Sequence, residues 1–187
     1  MSQPPRRHAP RSVVEIMRAV ARRFQRAKLY FGHGTETAMD EAAWLVGHVL
    51  GIRPDRLGER AGTTVPVAAL KKIDAVATAR IETRRPLAYL LGEAWFAGRR
   101  FYVDERVIVP RSYLGELLNA GLDGVVPTQD SIGSILDLCT GSGCLAILAA
   151  FAFPQAEVDA ADISADALEV ARRNVDDYGL DRQIALI

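Results

Sequence analysis

The sequence predicts an α/β chain: a helical bundle, then a β-hairpin connector, then the first half of a doubly wound parallel sheet. Three observations predict it. Apolar residues recur at helical spacing through roughly the first eighty positions, aromatic and β-branched runs take over after Leu87, and strand-like and helix-like segments alternate from Ser134 onward.

The elements follow in order. Ser12 and Glu15 form a capping-box pair, after which Val13, Ile16, Met17, Val20, Phe24 and Ala27 line one face of a helix with arginines on the other. The turn Phe31-Gly32-His33-Gly34 leads to a second helix from about Ala38 to Leu50, capped by Thr37 and stopped by Gly51. A third opens at Pro66, carries Leu70, Ile73, Val76 and Ala77 on one face, and breaks ahead of Pro86. These helices define a first domain, 1–84. Trp44 reads as core, and the single residues His33 and His48 read as packing or surface.

The second domain, 85–187, begins with two extended segments, Tyr89 to Phe96 and Phe101 to Val109, around the turn Ala97-Gly98-Arg99-Arg100. Pro110-Arg111-Ser112 ends this hairpin. Leu114, Leu117 and Leu118 start a short helix, and a loop from Asp123 to Asp130 follows. Then come a buried strand (Ser134 to Cys139), a helix (Gly143 to Phe153), a strand (Glu157 to Ile163), a helix (Ala165 to Tyr178) and a strand (Gln183 to Ile187). Crossovers of this kind force parallel strands, and ligands of such sheets bind beyond the strands' carboxyl ends. Asp137 to Gly143 and Asp162 fall at those ends.

Composition narrows the class. The 187 residues carry 23 basic and 23 acidic side chains, and no apolar run reaches the length of a membrane span. The N-terminus lacks the apolar core of a secretory signal, so the expected location is cytoplasmic. Cys139 and Cys144 lack the spacing and histidine partners of a zinc site, and no metal is expected. Charge is uneven: Arg6, Arg7, Arg11, Arg18, Arg22, Arg23, Arg26 and Lys28 are opposed only by Glu15 before Leu29. Such an arm suits a phosphate-rich surface. A disordered leader, MSQPPRRHAP, followed by a solvated helix face accounts for the same residues more simply.

The chemistry sits in Asp137-Leu138-Cys139-Thr140-Gly141-Ser142-Gly143. Gly141 and Gly143 permit a tight turn and close ligand approach, and Asp162 stands where an acid at the second strand's end takes ribose hydroxyls. A dinucleotide such as NAD and S-adenosyl-L-methionine both fit that far. Asp137 favours the second, because it would attract a sulfonium or ammonium and repel a pyrophosphate. Cys139, Thr140, Gly141, Ser142, Gly143 and Ile163 complete the expected cofactor-binding set.

The chain resembles the HemK-like family of protein glutamine methyltransferases, which have a Rossmann-like cofactor domain. The resemblance rests on Pro86-Leu87-Ala88-Tyr89-Leu90-Leu91-Gly92, Trp95-Phe96, Phe101-Tyr102-Val103-Asp104, Val109-Pro110-Arg111, residues Asp137 to Gly143, and Asp159-Ala160-Ala161-Asp162-Ile163-Ser164. Cys139, where the release-factor enzymes typically have glycine, together with Pro110-Arg111-Ser112 is similar to the branch acting on ribosomal protein L3. Tyr113 departs from the proline expected there. Cysteine is tolerable at 139 if its φ is negative. The resemblance implies N5-methylation of a glutamine in a ribosomal protein partner, with Asp137 at the methionine end, Asp162 on the ribose, and Pro110 and Arg111 as a candidate cofactor or substrate wall. It implies a substrate-recognition role for the helical domain, with the basic N-terminal end in contact with ribosomal RNA.

The family's Asn-Pro-Pro-Tyr motif does not occur in the 187 residues, so the expectation is a truncated chain with no catalytic residue of its own and no turnover. Its first sheet strand would then be an exposed apolar edge. Rival readings are a release-factor glutamine methyltransferase, an adenine-N6 nucleic-acid methyltransferase and a non-catalytic binding module.

Overall fold

A computed structural model of the chain describes residues 12–122, 124–126 and 132–187. Arg6, Arg7 and Arg11 of the basic arm, and Asp123 and 127–130 of the predicted loop, lie outside the described residues. The chain divides into two compact units, one ending at Leu91 and the other opening at Gly92.

In the first unit, α1 (Val13–Arg26), α2 (Ala38–Leu50) and α3 (Val67–Thr83) pack together, followed by a short α4 (Leu87–Leu91). The entry to α1 is fixed twice. The Ser12 N–H donates to Glu15 Oε2 at 2.8 Å, and the Val13 and Val14 N–H groups donate to the Thr63 and Ala61 carbonyls, which satisfies donors that a helix start leaves free. Thr37 and Asp40 cap α2 reciprocally, and Gly51 closes it at φ 65. Val13, Ile16, Val20, Phe24, Ala42, Leu45, Ile73, Ala77 and Leu87 are buried at the centre. Tyr89 to Leu91, expected to be extended, belong instead to α4, whose first turn Pro86 opens by accepting the Tyr89 N–H at its carbonyl.

Within the same core, Arg80 of α3 and Glu41 of α2 are 3% exposed each. Arg80 Nε donates to Glu41 Oε1 at 2.7 Å, Nη2 to the Tyr30 carbonyl at 3.0 Å and Nη1 to the Arg84 carbonyl at 3.2 Å. A charge taken out of water is tolerated only when paired and hydrogen-bonded, and three of these bonds supply that.

The second unit opens with a two-stranded antiparallel hairpin, β1 (Ala94–Phe96) and β2 (Arg99–Phe101), in which Ala94 faces Phe101. The hairpin is shorter than expected, because after Phe101 the backbone turns at Asp104, whose carbonyl accepts the Val107 N–H. The predicted short helix is α5 (Leu114–Asn119), with Gly115 set against the Phe96 ring where a Cβ would collide.

A parallel sheet follows in the order β3 (Ser134–Leu138), β4 (Glu157–Ala161), β5 (Ile184–Leu186), joined through α6 (Cys144–Ala152) and α7 (Ala165–Tyr178). Strand order equals chain order, so two right-handed crossovers place both helices on the same side of the sheet. Phe101, Ala146, Ile147, Ala150, Val158, Ala160, Val175 and Ile184 form the core between. The opposite side is open. β3, expected to be buried, therefore alternates: Leu136 and Leu138 are 58% and 68% exposed, while Ile135 and Asp137 are half-buried.

Candidate functional site

The carboxyl ends of β3 and β4 carry the predicted acids, and the backbone between them bends through Cys139 to Gly143. Thr140 anchors the bend, its N–H donating to the Ala161 carbonyl at 2.9 Å and its hydroxyl to Asp137 Oδ2 at 2.6 Å. The same Asp137 oxygen accepts the Ala146 N–H at 3.1 Å. A carboxylate therefore already occupies the positive N-terminal end of α6, the place where a dinucleotide fold seats its pyrophosphate. That arrangement is hostile to a second anion and compatible with a cation or neutral nucleoside.

Asp162 closes the bend from the other strand. Its Oδ2 accepts the Gly141 N–H at 2.9 Å and its Oδ1 the Ser164 N–H at 3.0 Å. A carboxylate offers about four lone-pair positions, so two remain for ligand hydroxyls. Ile163, next to it, is fully exposed. Gly143 starts α6 at φ 75, and a Cβ there would meet the Ala171 Cβ at 3.2 Å, so both backbone and space demand glycine.

Cys139 corrects an expectation. Its φ is 58, in the left-handed region, rather than negative. A side chain there crowds its own backbone, a cost that glycine would not carry. Cys139 is exposed. Cys144 is half-buried and its thiol is pushed up to about 11, first by burial and then by the neighbouring Asp137 charge, which leaves it protonated and unreactive at neutral pH. No cluster of metal-ligating side chains occurs among the described residues.

One residue that pattern reading missed organises the site. Asn174 of α7, 1% exposed, pairs with both backbone groups of Tyr102: the Tyr102 N–H donates to Oδ1 at 2.7 Å, and Nδ2 donates to the Tyr102 carbonyl at 3.0 Å. Its remaining N–H donates to the Ser142 carbonyl at 2.8 Å. One amide thus holds the glycine bend, α7 and the segment after β2 together. The signal was present, since Ala167, Val170, Ala171, Asn174 and Val175 share one helical stripe, and a polar residue in a core slot marks a buried hydrogen-bonding job.

The segment after β2 is tied down further. Asp104 accepts bonds from Tyr102 Oη and the Arg106 guanidinium, which hold its carboxyl well below the usual carboxylate range, with the Arg106 bond the larger cause. Arg106 Nη1 reaches Glu169 of α7 at 2.7 Å, and the Arg173 guanidinium lies 3.5 Å over the Tyr102 ring. Pro110 is buried. Arg111 is exposed and makes no hydrogen bond or ion pair among the described residues.

Comparison with known proteins bears on what the chain is similar to. Residues 122–186 match the family model described as the methyltransferase small domain, and residues 15–92 match the PrmC N-terminal domain. The ribosomal protein uL3 glutamine methyltransferase of Burkholderia pseudomallei (strain K96243) is 53% identical over 176 residues, covering 94% of this chain and 57% of that protein. Its namesake from Bradyrhizobium diazoefficiens is 48% identical over 181 residues, with 94% and 57% covered, and that of Bordetella pertussis is 48% identical over 172 residues, with 92% and 58% covered. The chain thus spans less than three fifths of the length of these curated relatives. Among solved structures, the N-terminal domain of human METTL16 in complex with SAH is 12% identical, with a TM-score of 0.39 over 76% of this chain and 54% of that one, a likeness too slight to argue from. Over nearly its full length the chain is thus about half identical to part of proteins named ribosomal protein uL3 glutamine methyltransferase, and its two segments match the PrmC N-terminal domain and the methyltransferase small domain.

Proposed function

We propose that this chain forms the donor-binding and substrate-selecting part of an S-adenosyl-L-methionine-dependent enzyme that methylates a glutamine side chain of ribosomal protein uL3, the L3 protein of the large subunit. The observation that carries the reading is the 53% identity to a uL3 glutamine methyltransferase across 94% of the chain. Asp137 at the N-terminus of α6 supports the choice of cofactor, because it suits a cationic ligand and opposes a pyrophosphate. A cytoplasmic location follows from a ribosomal substrate, and among the described residues no helix is long and apolar enough to cross a membrane.

When bound, the cofactor supplies an electrophilic methyl on a cationic sulfonium. Asp137 offers a negative potential to the methionine end. Cys139 to Gly143 pass their backbone beneath the nucleoside, Asp162 accepts the ribose hydroxyls, and Ile163 offers an apolar surface to the base. Pro110 and Arg111 form a wall for cofactor or substrate. Positioning and fixed electrostatics carry such a transfer. An amide nitrogen has a delocalised lone pair, so acceptors must hold its N–H groups; the Asn-Pro-Pro-Tyr that the resemblance assigns to this task is not in the 187 residues. The helical unit is proposed to select the substrate.

Two measurements test the reading. The 187-residue chain is expected to bind S-adenosylmethionine by calorimetry without methylating uL3, and Asp162→Ala is expected to weaken that binding by about 1–3 kcal/mol through lost charged hydrogen bonds. Unchanged affinity would remove Asp162 from the site. The longer protein, incubated with labelled cofactor, is expected to label uL3; label entering RNA or DNA instead would replace this reading with adenine-N6 methylation, and label entering a release factor would move it to the other glutamine branch.

A further inference from the structure

The exposed face of α1 carries an interaction surface, and its interpretation rests on the reading of a ribosomal protein as substrate. Arg18, Arg22 and Arg26 stand at successive fourth positions of α1, all exposed, and none makes a hydrogen bond or ion pair among the described residues. Like charges at that spacing repel and weaken a helix, so packing gives no reason to keep three of them in line. The contrast with Arg23 is direct: it turns toward α3, with Nη1 2.7 Å from Asp74 Oδ1 and Nη2 2.9 Å from Thr78 Oγ1. Glu15, the acid of this helix, stands three residues before Arg18, where it offsets part of one of the three charges, and is engaged by Ser12.

The stripe continues past the helix. Lys28 is exposed just beyond the end of α1, and Arg84 Nη1 donates to the Lys28 carbonyl at 3.1 Å, bringing the cation that closes α3 to the end of α1. Cations at helix C-termini are partly explained by the helix dipole, which covers Lys28 and Arg84. It does not cover Arg18 and Arg22, which stand in the body of the helix.

We propose that Arg18, Arg22 and Arg26, extended by Lys28 and Arg84, dock on the sugar-phosphate backbone of RNA bordering the ribosomal protein substrate. Four helical residues advance about 6 Å, a step comparable to that between successive phosphates of one strand, and guanidinium groups bind phosphate oxygens in pairs. Phe24, the aromatic residue of α1, is fully buried, so the helix itself presents charge and no ring, and its contact is to phosphate and independent of sequence. A protein partner fits less well, because the surface of an RNA-binding protein is itself basic and would repel the stripe.

The test measures binding of the 187-residue chain to mixed-sequence single-stranded RNA across a salt series, without cofactor or substrate. Arg18→Gln/Arg22→Gln/Arg26→Gln is expected to bind at least tenfold more weakly at low salt and to lower the slope of log affinity against log salt by about two. The charge-keeping triple lysine variant is expected to restore the slope, and Arg22→Gln alone to lower it by roughly a third as much, which keeps the test valid if the glutamine triple fails its circular-dichroism control. An unchanged slope, or equally tight binding of polyglutamate, would overturn the proposal, the second outcome pointing to an acidic protein. Methylation of RNA-free uL3 by the longer protein carrying the parent sequence judges the activity separately. Failure to methylate at all would count against the activity while the salt slope still judges the stripe.

Discussion

Both units bury a polar side chain deep in a helix contact, yet Arg80 in the helical unit is a charge matched by a carboxylate, whereas Asn174 in the α/β unit is a neutral amide matched only by backbone. The difference follows from what each holds. Arg80 joins α3 to α2 and to the ends of two loops, where a long side chain with five donors can reach several acceptors at once. Asn174 meets one backbone N–H and two backbone carbonyls, a set that a single amide satisfies without a counter-charge. The helical unit uses its polar lock for packing; the α/β unit uses its own to position a site.

The largest expected effect breaks the first lock. Arg80→Met leaves Glu41 buried without its counter-charge and is expected to cost about 3–5 kcal/mol in denaturant unfolding, with Arg80→Met/Glu41→Leu recovering a substantial part. If the single variant is as stable as the parent, the ion pair does not organise this core. Next, Asn174→Leu should cost about 2–3 kcal/mol, since it leaves Tyr102 and Ser142 backbone groups buried and unpaired, and should weaken S-adenosylmethionine binding by more than Arg80→Met does. Equal losses of affinity in the two variants would erase the distinction between a packing lock and a positioning lock.

Two smaller effects sharpen the picture within the α/β unit. Cys139→Gly removes a side chain from a left-handed backbone position and is expected to stabilise the chain by about 1 kcal/mol, read as a raised melting temperature. Asp104→Asn is expected to cost about 0.5–1 kcal/mol at neutral pH. The sign of its pH dependence is set by the lowered carboxyl pKa of the folded state: that stabilisation is complete above the unfolded carboxyl's value near 4 and fades as pH falls through the lower folded value. Parent and variant stabilities should therefore converge in acid below about pH 4, and parallel curves would rule out Asp104 as the titrating group.

The three long helices of the first unit and α7 were legible because their apolar residues keep the helical period, and the ends of the first two carry caps, Ser12 with Glu15, Thr37 with Asp40 and Gly51. The two acids at the strand ends were legible because acid, glycine bend and second acid have a fixed spacing in the chain. Three things were not. The sign of φ at Cys139 is a property of the bend and not of cysteine. The helical turn at Leu87–Leu91 is too short for any period to show, and its aromatic neighbours imitate a strand. Arg80 and Asn174 look like surface residues by type, although each falls on an apolar stripe: Ile73, Ala77 and Arg80 in α3, and Val170, Ala171 and Asn174 in α7. Residue type argued for solvent and position argued for the interior, and position was right in both helices.

The pairing of Asn174 with Tyr102 also turns a remote amide into a gauge. The Tyr102 N–H is shielded only while that carboxamide stays in place, and the carboxamide in turn grips the Ser142 carbonyl. Deuterium uptake at this one backbone position should slow when a ligand steadies the bend and quicken when the bend frays, so occupancy could be followed without a label on either partner.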